Sequence, residues 1–238
     1  MNKPVKIGNI PWSMDNIIKS LDDFVELYKQ RPLINNRGGM GAPHCFATYF
    51  IMKHLDKPYI IESGVWKGQS TWLIEKTCPE AKLLCIDPNL YYRKYISEKA
   101  NYTTTDWEEL DIKNPEKTLC FFDDHQNAFK RIQNAVERGF KHLIFEDNYP
   151  LGQGDCISLK QILDKDTEMS KFLKKHIEVY CEFPPVFKRD KTRWGDNWDD
   201  KNYPTEHPIF NQLKNNEKYK LFYDDALGYT WIAYVKLK

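Results

Sequence analysis

No apolar run in the sequence approaches the ~18 residues that a transmembrane helix needs, so no membrane partner is expected. Met1-Asn2-Lys3-Pro4 leads into no apolar stretch, so no secretory leader is expected either. An excess of one charge is also missing. The 35 Lys and Arg stand against 34 Asp and Glu, a balance that excludes the basic stripe of a general nucleic-acid binder. The cysteines, at 45, 78, 85, 120, 156 and 181, form no C-x-x-C pair and no zinc-finger spacing with histidine. Cys85 and Cys120 lie inside apolar runs, where a thiol packs as a small hydrophobe, and a reducing cytoplasm is the expected compartment. There is no internal repeat, no low-complexity tract and no linker that would split the 238 residues, so a single domain is expected.

What is present is an alternation of short apolar runs and helical patterns. Residues 13–29 read as a helix capped by Ser13, residues 31–43 as a Pro/Gly/Asn-rich loop, and Phe46 to Leu55 as a second helix. Strand-like runs follow at Tyr59 to Glu62, Lys82 to Asp87, Thr118 to Asp124 and Lys141 to Asp147. Between and after them Gln69 to Lys76, Tyr91 to Lys99, Ala128 to Arg138 and Ser158 to Leu163 read as helical. The strand runs are continuously apolar rather than alternating, the pattern of a parallel sheet covered on both faces. At the tail, Lys218 to Tyr223 and Tyr229 to Lys236 read as a hairpin. The expected fold is α/β: a Rossmann-like, doubly wound, mostly parallel sheet with a C-terminal antiparallel hairpin in three αβα layers. Its parts are a helical extension at 1–57, a core at 58–165, an insertion or flap at 166–215 and the hairpin at 216–238.

In such sheets a ligand sits beyond the carboxyl ends of the strands, and chemistry-bearing residues gather there. Glu62-Ser63-Gly64-Val65-Trp66-Lys67-Gly68-Gln69-Ser70 is a glycine turn between strand and helix, where backbone can approach a ligand closely. It is neither a G-x-G-x-x-G fingerprint nor a P-loop, and a tight turn with no ligand remains open. Asp87 ends the next strand, placed either to accept ribose hydroxyls or to cap the turn before Pro88. Asp123-Asp124-His125 and Glu146-Asp147-Asn148 end neighbouring strands. Crowded carboxylates call for a divalent cation, a raised pKa, or side chains that point apart.

Together these residues resemble class I S-adenosylmethionine (SAM)-dependent methyltransferases. Gly64-Val65-Trp66-Lys67-Gly68 is most similar to the macrocin-type sugar O-methyltransferases. The Asp124-His125 and Asp147-Asn148 pairs resemble the metal-binding acids of that group and of catechol O-methyltransferase. The segments Phe121 to Gln126 and Phe145 to Pro150 also resemble methyltransferase domains of glycan-modifying enzymes from algae and large DNA viruses. The resemblance covers about residues 58–165 and the tail.

It implies that Glu62, Gly64 and Gly68, with Val65, Trp66 and Ser70, bind the methionine part of SAM, and that Asp87 binds its ribose. Asp106 or Trp107 would face the adenine. Asp124, Asp147 and Asn148 would hold a divalent metal, Mg²⁺ by preference, and Asp124 or His125 would take the acceptor's proton. Asn148 departs from the sugar group, which often has Asp there, and agrees with the catechol group. The expected acceptor is a small molecule or glycan with a sugar hydroxyl. The alternatives are a catechol-like phenol, or a non-catalytic glycan-binding domain of the same fold. No Asp/Asn-Pro-Pro-Tyr/Phe run points to a nucleic-acid amine. Assembly into a homo-oligomer is left open, and a Lys- and Asn-rich composition suits an AT-rich, viral genome and a host cytoplasm. His44, after the Gly38-Gly39 loop, could cover the substrate, with an ordinary surface or helix-start residue the favoured reading; Trp194 and Trp198 could stack on a sugar, though core packing explains either tryptophan equally well.

Overall fold

The computed structural model describes residues 4–188, 191, 197, 201, 204–224 and 231–238. Its centre is a seven-stranded sheet of order β3-β2-β1-β4-β5-β7-β6. The strands are β1 (Tyr59–Ser63), β2 (Lys82–Ile86), β3 (Asn101–Thr103), β4 (Thr118–Phe122), β5 (His142–Phe145), β6 (Ile177–Glu182) and β7 (Ala233–Leu237). β1 to β5 pair in parallel, and β7 runs antiparallel between β5 and β6. This is the doubly wound sheet with a reversed terminal strand that the sequence pattern predicts.

Each apolar run divides between two cores because successive side chains point to opposite faces. Ile60, Leu83, Leu119 and Phe121 face one cluster with Phe24, Phe46 and Phe222. Ile61, Ile86, Cys120 and Phe122 face the other, with Trp107, Ile132 and Leu163. On the first side lie α1 (Met14–Lys19), α2 (Leu21–Tyr28), α3 (Ala42–Leu55) and α4 (Gln69–Thr77). On the second lie α5 (Ala128–Arg138), α6 (Leu159–Leu163) and α7 (Glu168–His176). In α3, 10 of 14 residues are buried, so it is a core helix rather than an appendage. No helix among the described residues is long and apolar enough to cross a membrane.

The structure corrects several local expectations. The 13–29 helix is two helices that meet at Ser20, the first with a complete capping box at Ser13. α3 begins four residues before Phe46, because Pro43 lies in the first turn, where its missing N–H is not needed. Tyr91 to Lys99 is not a helix. A single 3₁₀ turn, Leu90–Tyr92, leads toward the short edge strand β3. The tail is not a hairpin: Lys218 to Tyr223 lies in a 3₁₀ turn and α8 (Lys220–Asp224). Besides β5, the antiparallel partner of β7 is β6, which lies with α7 inside the stretch expected to be a flap. Trp194 and Trp198 lie outside the described residues.

The register sets up one rim. Ser63 lies opposite both Ile86 and Phe122, and Phe122 lies opposite Phe145. The next residues, Gly64, Asp87, Asp123 and Glu146, therefore leave the sheet at one level. Their amides continue the ladder: Gly64 N donates to Ile86 O (2.9 Å), Asp123 N to Ser63 O (2.8 Å) and Glu146 N to Phe122 O (2.8 Å). The chain winds outward on either side of β1 and β4, so the switch point lies between Gly64 and Asp123.

Candidate active site

The glycine turn is shaped by contacts within the protein. Gly64 has φ +98°, and any Cβ there would run into the Asp123 carbonyl. Gly68, at φ +88°, lies under the Tyr95 carbonyl in the same way and is the N-cap of α4. Asp87 buckles the turn: its Oδ2 accepts from Val65 N (2.9 Å) and Trp66 N (2.8 Å), and its Oδ1 accepts from Asn89 N (2.8 Å). Trp66 itself has φ +43°, a conformation bulky residues rarely adopt. Its ring meets Gly38 and Gly39 of the N-terminal loop, where a Cβ would stand 3.2 and 3.0 Å from ring atoms. Lys67 Nζ lies 3.7 Å from the ring centroid.

Between this turn, the loop at 36–40 and the end of β4 lies a cleft of about 370 Å³. That is within the ordinary range for a small-molecule site. Of the residues that the sequence singles out, Gly64, Val65, Trp66, Ser70, Asp87 and Asp124 line it.

Asp123 and His125 also line the cleft, and with Asp147 they bring one donor atom each to within 4.8 Å of one another. Burial, with the charges of Glu146 and Asp147, pushes the Asp123 carboxyl well above the usual range. Burial, then Glu146, pushes Asp147 up to about 7. Asp147 Oδ2 accepts from His125 N (3.0 Å), while its buried Oδ1 has no hydrogen-bond partner among the described residues. His125 is held at φ +54°, and its Nδ1 lies 2.9 Å from Asp155 Oδ1. Burial opposes its protonation, but Asp147 and Asp155 prevail and raise its pKa. From the first turn of α3, His44 Nδ1 hydrogen-bonds Glu146 Oε1.

Other expected residues are placed differently. Glu62 is fully buried beneath the turn; its Oε2 accepts from Thr71 Oγ1 (2.6 Å) and Cys85 Sγ (3.1 Å), and it does not line the cleft. Gly68 is likewise outside the lining, in a structural role. Asp106 gives both oxygens to Arg131, and Trp107 is a fully buried core ring against Phe122 and Phe140, so it cannot face an adenine. Asn148 is the clearest correction. Its Nδ2 donates to Tyr180 Oη (2.9 Å) and its Oδ1 accepts from Lys160 N (3.0 Å), which commits the amide to a buried network away from the acids. Asp124 accepts from Ser63 Oγ (2.7 Å), Arg131 Nη2 (2.9 Å) and Gln126 N (3.2 Å), and Asp123 takes its place in the donor group. Sequence reasoning had the Asp123-Asp124 doublet but not which member turns inward. The glycines of the 36–40 loop and His44 were visible in the sequence, but the His44–Glu146 contact had no local signal, because α3 reaches the rim only through the packing of the whole fold.

No protein-family model and no curated protein matches the chain. Several solved structures are similar to it. One is CmcI with Mg and SAM, at 21% identity over 61% of this chain and 70% of that chain, TM-score 0.38. Another is the O-methyltransferase TomG from Streptomyces achromogenes, involved in tomaymycin synthesis, in complex with SAM. It is 11% identical over 69% of this chain and 82% of that chain, TM-score 0.42. A third is an O-methyltransferase from Bacillus cereus in complex with SAH, the demethylated product of SAM, at 11% identity over 70% and 77%, TM-score 0.37. Likeness at this level transfers no activity. The fold rests on this chain's own strand order and register.

Proposed function

We propose that the chain is a SAM-dependent O-methyltransferase that acts on a hydroxyl of a sugar or glycan with the help of a divalent cation. The observation that carries this reading is the common rim: a glycine turn buckled by Asp87 opens a cleft directly beside the Asp123–His125–Asp147 donors. The donor set fits a cation on chemical grounds. Two carboxylates whose ionisation is opposed by burial and by the charge of Glu146 lose that penalty when a positive ion lies between them, and oxygen donors suit Mg²⁺. Asp147 Oδ1, which accepts no hydrogen bond among the described residues and lies 3.6 Å from His125 Nδ1, is the atom such an ion would satisfy.

When bound, SAM supplies a methyl already activated by its sulfonium, and the cation lowers the pKa of a hydroxyl beside it. The protein's own work is then largely positional. The glycine turn and the 36–40 loop hold the donor in line with the acceptor, an effect that can supply up to ~7–11 kcal/mol. Asp123 and Asp147 hold the ion at the rim. His125, beside them and oriented by Asp155, is better placed than Asp124 to take the hydroxyl proton, because Asp124 is occupied by Ser63 and Arg131. The phenolic alternative drew its support from Asn148, which is engaged elsewhere.

Calorimetry with SAM and SAH, with and without Mg²⁺, tests the reading. Micromolar binding that Asp87→Ala weakens supports it. Absence of binding at millimolar ligand ends it. A screen of sugar against phenol acceptors then decides the substrate class.

A further inference from the structure

We infer that Arg131 is a positioning residue of the cleft, one buried guanidinium that holds the loops after β1, β3 and β4 in register. Arg131 lies on α5 and is 4% exposed. Its Nη1 donates to Asp106 Oδ1 (2.8 Å) and Glu108 Oε1 (3.2 Å), and its Nη2 to Asp106 Oδ2 (2.9 Å) and Asp124 Oδ2 (2.9 Å). Asp124 Oδ2 in turn accepts from Ser63 Oγ at 2.7 Å, and Ser63 is the last residue before the glycine turn. A continuous polar chain therefore runs from the loop after β3, through α5, to the ends of β4 and β1.

Only a planar fork can serve this geometry, since the guanidinium meets Asp106 with two parallel bonds while the second hydrogen of Nη2 reaches Asp124. Asp106 and Glu108 are each 43% exposed at the side chain, and Arg131 is the cation that hydrogen-bonds them; Arg138 holds the same loop only through the carbonyls of Trp107 and Leu110. The rings of Phe122 and Trp107 lie 5.5 and 5.8 Å from the guanidinium carbon and wall the cation in. Asp124, expected to be a ligand or a base, acts instead as the relay between Arg131 and the glycine turn. The inference rests on the proposed function only for the identity of the ligand. The coupling between loops belongs to the protein alone.

Hydrogen exchange on the full chain tests the coupling without any ligand. In Arg131→Lys, which keeps the charge and loses the fork, amides of both 104–110 and 63–68 should exchange about tenfold faster or more, while those of β5 stay protected. Loop protection within twofold of wild type in either segment would overturn the inference. Calorimetry with SAH separates positioning from bulk stability. Arg131→Lys and Asp106→Asn should each weaken binding about tenfold, and the double variant no further than Arg131→Lys alone. A lowered melting temperature with unchanged SAH affinity would show a merely structural role and overturn it. Asp106→Asn, a change at a part-exposed loop, carries both measurements if Arg131→Lys does not fold. Failure of wild type to bind SAH would sink the functional reading instead, and the exchange result would still decide the coupling.

Discussion

Gly64 lies so close beneath Asp123 that its missing Cβ is replaced by the Asp123 carbonyl. The contact joins the first residue after β1 to the first residue after β4, across the switch point of the sheet. Gly64→Ala must therefore move one of these loops as well as strain φ, and should lose about 2–4 kcal/mol of stability together with SAH binding. Gly152 is the control: it also has positive φ, but an added Cβ meets nothing within 4 Å, so Gly152→Ala should lose only about 1 kcal/mol. Equal effects in chemical denaturation would show that the close approach is unimportant.

Asp87 accepts two consecutive amides of the turn through one oxygen. Asp87→Ala should leave the sheet intact and weaken SAH by roughly thirtyfold, the loss of about 2 kcal/mol of charge-assisted hydrogen bonding. Calorimetry beside a thermal melt reads both quantities. Unchanged affinity in a folded variant would remove Asp87 from the site.

Burial, then the charge of Glu146, pushes Asp147 up to about 7 from its ordinary 3.8. Between those values the folded chain holds a proton that the unfolded chain has released. A carboxyl raised in this way makes the folded state less favourable as it ionises. The cation-free protein should therefore lose stability as pH rises from 3.8 to about 7, and Asp147→Asn should flatten that slope. Mg²⁺ competes with the proton, so its affinity should climb over the same interval and its binding should restore the lost stability. Melting temperatures against pH, with Mg²⁺ and with chelator, check the sign. Identical slopes in wild type and Asp147→Asn would refute it.

Asn148 gives an opposed pair of expectations. As a metal ligand it should gain from Asn148→Asp. In the structure its amide donates to Tyr180 and lies 3.5 Å from Glu182 Oε1, so the new carboxylate would face a buried like charge. Asn148→Asp should lose about 3 kcal/mol or more and gain no affinity for Mg²⁺. Tighter metal binding in a stable variant would return Asn148 to the site.

The sequence by itself determined the sheet's central half and the residues that gather at its rim. Continuous apolar runs fixed β1, β2, β4 and β5, and the residues that stop them, Gly64, Asp87, Asp123 and Glu146, were legible because an abrupt change from apolar to acid or glycine marks a strand's end at a rim. Local propensity also fixed α5, with Asn127 and Gly139 as its caps. Only the tertiary structure decided which side of the rim each side chain takes. Asp123 lies with Glu146 and Asp147 and Asp124 turns toward Arg131 because groups from β1, α5 and the loop after β5 compete for them, and no spacing records that competition. β6 and the helical segment before β7 were misjudged for a related reason. Lys218 to Tyr223 carries aromatic residues that suit a strand, yet Phe222 finds its burial against Phe24 and Phe46, on helices nearly 200 positions away. Packing of that range outweighs propensities worth a few tenths of a kcal/mol per residue.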